Sequence, residues 1–157
     1  MTTQPRPSFK SILGRRLGLG AYGELQAAGG SVQLTRPAVN ATITISAEAA
    51  TTADTRDLTV TLKDAAGNAI DYAELFEIVM FSSSAMTDFV AAGGSTGVVQ
   101  GTVGKMLAVV AKKHFHCLTD TSGAWNGTYL DTGTAAGYLA VRLPNGRIIG
   151  GGTVTTA

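Results

Sequence analysis

Leu58-Thr59-Val60-Thr61-Leu62-Lys63, followed by Asp64-Ala65-Ala66-Gly67-Asn68, is the stretch on which the fold turns. Leucine and valine alternate with threonine and lysine, so an extended backbone sends one row of side chains to a core and the other to water. The five residues that follow carry Asp, Gly and Asn, which accept the side-chain-bonded and left-handed conformations of a turn. Upstream, Ala41, Ile43 and Ile45 alternate in the same way with Thr42, Thr44 and Ser46. Both segments read as half-buried strands.

Downstream the same reading extends to the C-terminus. Tyr72 to Phe81 is ambiguous, because Leu75, Phe76, Val79 and Met80 also fit a helical stripe; we read it as a strand buried on both faces. Further strands are expected at 97–102, 106–111, 113–119 and 125–131, with Lys112-Lys113 at a bend. Leu139, Val141 and Leu143 then lead into Pro144-Asn145-Gly146, and Arg147-Ile148-Ile149 leave it, as in a hairpin. Short strands at this spacing, with no long amphipathic helix, make the chain all-β: an immunoglobulin-like β-sandwich as first choice, a jelly roll as second.

The expected domain division is an extended, basic, Gly-rich N-terminal arm over 1–37 and a β-sandwich over 38–157. The arm is punctuated by Pro5, Pro7 and Pro37 and by six glycines. Its apolar residues Phe9, Ile12, Leu13, Leu17, Leu19, Tyr22 and Leu25 are too many for a solvated tail and too interrupted for a stable helix. Residues 1–36 hold Arg6, Lys10, Arg15, Arg16 and Arg36 against Glu24 alone, a local net of +4, and the remainder carries −3. Phe9, Lys10, Ile12, Leu13, Arg15, Arg16, Leu17 and Tyr22 are therefore the expected docking residues, apolar and cationic together, for an acidic protein surface.

Composition narrows the class. Charged residues make up 15%, against roughly 25% in typical soluble proteins, and 21 Thr and 23 Ala fill the difference. Threonine suits a pleated strand and keeps its outer face wettable without charge. A net charge of +1 argues neither for nucleic acid nor for an acidic substrate. Cys117 is the sole cysteine, which excludes an intrachain disulfide and a Cys-rich zinc site. With no signal-peptide core and no apolar run near the ~20 residues of a membrane span, synthesis in a cytoplasm and no membrane partner are expected.

Signals of chemistry are sparse. Gly18-Leu19-Gly20-Ala21-Tyr22-Gly23 fits G-x-G-x-x-G, but that motif cradles a pyrophosphate only between a strand and a helix of a βαβ unit, which the pattern lacks. His114 and His116 share one face of the strand expected there, yet two imidazoles are an incomplete metal site, needing a distant carboxylate or a neighbouring subunit. The favoured reading sends Phe115 and Cys117 to the core and the histidines to the surface or an interface, with no metal and no cofactor. No G-x-S-x-G elbow presents a nucleophile, and Glu74/Glu77 read as solvating carboxylates; the chain is expected not to be an enzyme. Trp125 and Tyr129 fall on one face of a strand: exposed, they would stack on a sugar or grip a protein, and buried, they would fill the core. With ten aromatic residues in the chain, the core is favoured.

Lys112-Lys113-His114-Phe115-His116-Cys117-Leu118-Thr119-Asp120, the Asp131-Thr132-Gly133 turn and Tyr138-Leu139-Ala140-Val141-Arg142-Leu143-Pro144-Asn145-Gly146-Arg147 carry a resemblance, joined by Leu58 to Asp64 with Gly67. Over roughly 40–157 the chain resembles virion structural proteins of tailed bacteriophages, especially head-decoration or head-fibre components. The resemblance implies a capsid decoration or cement protein on the capsid exterior, without cofactor. Its partners would be the major capsid protein or other virion proteins, and it would be a homo-oligomer in the particle. A neck or tail-fibre component and a carbohydrate-binding sandwich are the alternatives.

Overall fold

The computed structural model describes residues 38–48, 53–133 and 136–156, together with the backbone of three short strands nearer the N-terminus. Two units are distinguished, Met1–Thr35 and Arg36–Ala157. In the first, β1 (Leu17–Leu19), β2 (Leu25–Ala27) and β3 (Gly30–Val32) form an antiparallel meander, adding strands to a stretch expected to be extended. Leu17 opens β1 opposite Ala27. The expected contacts at Phe9, Lys10, Ile12, Leu13, Arg15, Arg16 and Tyr22 lie outside the described residues.

The second unit is two antiparallel sheets packed face to face. Its strands are β4 (Asn40–Ile45), β5 (Thr55–Lys63), β6 (Leu75–Phe81), β7 (Gly97–Gln100), β8 (Lys105–Val110), β9 (His114–Leu118), β10 (Ala124–Leu130), β11 (Gly137–Arg142) and β12 (Ile148–Val154). One sheet runs β4-β5-β10-β7 and the other β12-β11-β6-β9-β8. Among the described residues there is no helix, so the helical stripe in 72–81 loses to strand pairing. Ile78 to Phe81 are all buried, on both faces of β6.

Alternation decides what each strand buries. Leu58, Val60 and Leu62 of β5 and Trp125 and Tyr129 of β10 face Phe76, Ile78 and Met80 of β6, Phe115 and Cys117 of β9, and Leu139 and Val141 of β11, in one cluster. At about 1.5–3 kcal/mol for each fully buried large apolar side chain, this layer dominates the stability of the unit. A smaller cluster, Val79, Phe81 and Ala140, lies on the opposite face of β6 and β11 and packs against Met86 and Tyr138. Phe89 stacks on Phe81 there, at 6.3 Å between ring centres. Met86 and Phe89 thus cover one end of the outer face of the five-stranded sheet.

Trp125 organises the interior. Its ring meets the edge of Phe76 at 6.2 Å and 79°, and its indole N–H donates to Gln100 Oε1 at 2.9 Å. Gly104, at φ +78°, is required beside it: a Cβ there would lie 2.7 Å from Trp125 Cδ1 and 2.5 Å from the Leu118 carbonyl. The turn after β5 is closed by Asp64, whose Oδ1 accepts from the amides of Ala66 and Asn68. Asp131 does the same for Ser95 and Gly133.

Candidate functional site

Alternation on β9 sends Phe115 and Cys117 inward and His114 and His116 outward. Pairing with β6 places Glu77 directly opposite His116, and Val79 opposite His114. Pairing of β6 with β11 brings Arg142 opposite Glu77 from the other side. Register on both flanks of a central strand therefore assembles two imidazoles and a guanidinium around one carboxylate.

Two of the contacts are hydrogen bonds and the third is a looser ion-pair distance. His114 Nε2 lies 3.1 Å from Glu77 Oε2, His116 Nε2 lies 3.7 Å from Oε1, and Arg142 donates to Oε2 at 3.2 Å. The imidazoles meet edge-on at 5.5 Å, and Phe89 lies 6.4 Å from His114. Partial burial alone would raise the Glu77 pKa; hydrogen bonds from His114 and Arg142, with their charges, outweigh it and leave the carboxyl below its ordinary range. Beside the group, Leu75, Phe76, Glu77, His116, Arg142, Leu143 and Pro144 line an open pocket of about 230 Å³. Glu77, read from the sequence as a solvating carboxylate, is instead the centre of this cluster.

Cys117, directly behind the histidines, is buried, and desolvation pushes its thiol up to about 12 against a small lowering from the Ile78 backbone. It packs as a small apolar side chain.

A second surface is apolar. Gly151 of β12 lies against Ile43 of β4 at one flank of the sandwich, which leaves β7 and β8 as the sheet edges of the other. On β8 the strand alternation is lost: Leu107, Val109 and Val110 are all exposed, Leu107 to 68%. Val99 on β7 is exposed as well. An edge strand with free backbone groups and apolar side chains is a template for another chain, which Lys105 and the bulge between Ala108 and Val110 only partly block.

Trp125 and Tyr129 are each 1% exposed. The surface or glycan contact offered for this pair is therefore corrected: the facing sheet covers both rings, and neither presents a face to a sugar. Burial also raises the Tyr129 phenol, with Asp131 adding to it. Glu74, just before β6, accepts from the Tyr72 hydroxyl and from the amide of Ala38, so the two carboxylates Glu74 and Glu77 serve separate networks. No protein-family model, curated protein or solved structure matches the chain.

Proposed function

We propose that the chain is a structural protein of a bacteriophage virion, a decoration or cement protein that docks on the capsid exterior, in many copies, and performs no catalysis. The observation that carries an assembly role is the edge strand β8, where Leu107, Val109 and Val110 stand exposed beside unpaired backbone. Exposed apolar side chains along an open strand edge mark contact with another protein. The phage context comes from the resemblance over 40–157, and the cationic, apolar composition of residues 1–37 supports a docking arm.

The finer fold reading is immunoglobulin-like. If β4, β5, β6, β10, β11 and β12 are read as strands A, B, C, E, F and G, the sheets become A-B-E and G-F-C, with β7 in the position of D and β9 in that of C′. Two features depart from that pattern: β7 precedes β8 and β9 in the chain, and the buried Trp lies on β10 rather than on the strand read as C.

Co-sedimentation of the purified chain with capsids of the phage that encodes it tests the proposal. Saturable binding to heads is expected, with loss in Leu107→Asp/Val109→Asp and on deletion of residues 2–30. Absence of binding, or immunolabel confined to neck or tail, refutes the decoration reading.

A further inference from the structure

We propose that Glu77, His114 and His116 bind a divalent transition metal of the zinc class on the outer face of the five-stranded sheet. One donor atom from each residue lies within 4.8 Å of the others. Donors about 2.1 Å from a tetrahedral zinc are about 3.4 Å from one another. The nitrogen–oxygen separations are of that order, 3.1 Å from His114 Nε2 to Oε2 and 3.7 Å from His116 Nε2 to Oε1 of the same carboxylate. Only side chains have to turn to bring these donors onto one ion, because the backbone is held by β-ladders on both sides of β6.

The donor set selects the ion. Two imidazoles and one carboxylate suit zinc, copper, nickel or cobalt, whereas calcium and magnesium require six or more oxygens. The ion takes the position between His114 Nε2 and Glu77 Oε2 that a hydrogen bond occupies without it. An entry path exists, because His116 is half exposed and the pocket lined by Glu77, His116 and Arg142 opens beside it. That pocket also leaves room for an exchangeable ligand at the open coordination position.

Arg142 opposes the ion. Its guanidinium sits 3.2 Å from the ligand carboxylate, half exposed on a flexible stem. An ion-pair network needs this cation, and a metal site is better without it. The two readings therefore predict opposite effects of removing it.

Calorimetric titration of the untagged full chain with zinc chloride, supported by cobalt(II) absorption, decides the matter. Binding of one ion per chain is expected, with magnesium chloride giving none. Glu77→Gln, His114→Ala and His116→Ala each remove a direct ligand and weaken zinc roughly tenfold or more; Arg142→Ala, which frees Oε2 of a competing cation, tightens it several-fold. Zinc raises the melting temperature of the wild type more than that of His116→Ala, whose exposed side chain is removed without touching the core. Zinc binding that is absent, or that is unchanged in both histidine variants, overturns the proposal, as does weaker binding in Arg142→Ala.

Discussion

Replacing Gln100 by Leu removes the acceptor of the Trp125 indole N–H while keeping the side-chain bulk. The indole is buried, and Gln100 Oε1 at 2.9 Å is its acceptor. A buried donor left unsatisfied costs about 1–3 kcal/mol. The amide Nε2 of Gln100 also donates to the carbonyls of Val103 at 3.0 Å and Gly101 at 3.1 Å. These carbonyls are near solvent and rehydrate, so their loss adds only about 1 kcal/mol. A total near 3 kcal/mol follows, equivalent to about 9 °C in melting temperature for a domain of this size. The chain has one Trp, so its fluorescence in a urea titration reports unfolding from within the core. A double-mutant cycle isolates the bond: in Trp125→Phe there is no N–H to orphan, and Gln100→Leu should then cost about 1–2 kcal/mol less, with all four proteins followed by far-UV circular dichroism. Equal costs in the two backgrounds, within about 0.3 kcal/mol, would refute the reasoning.

Gly104→Ala should destabilise the sandwich by about 2–5 kcal/mol, combining the left-handed backbone penalty with overpacking against Trp125 and the Leu118 carbonyl. Gly67→Ala has a similar positive φ and open space around it, so it should show only the first part, about 1–2 kcal/mol; equal urea midpoints for the two variants would remove the clash from the account. Cys117, whose thiol burial pushes up to about 12, holds far less thiolate at pH 8 than an exposed cysteine. Its reaction with a chromogenic disulfide should track the unfolded population across a urea series, and rapid labelling of the native protein would contradict the burial.

Local pattern carried much of the fold. In β5 and β10 the direction of each side chain follows from covalent geometry, so the rows Leu58, Val60, Leu62 and Trp125, Tyr129 were legible without knowing any neighbour. The sense of the row was not: Trp125 and Tyr129 share a face whether it meets water or a second sheet, and only the strands opposite make it a core. For 72–81 even the period was ambiguous, since a strand buried on both faces and a helix with one apolar stripe look alike over ten residues.

The cluster on the outer face shows the same boundary more sharply. Alternation alone put His114 and His116 on one side of their strand and left a third donor to be found. Glu77 lies 37 residues before His114, and nothing local distinguishes it from Glu74. It joins the histidines because β6 and β9 pair in a register that also buries Ile78 against Phe115. Sequence by itself determined most strands of the second unit and which way the side chains of β4, β5, β9 and β10 alternate, because that information resides in each residue and its immediate neighbours. Tertiary structure alone decided which strands pair, in what register, and which face is covered, because those depend on the simultaneous burial of residues far apart in the chain.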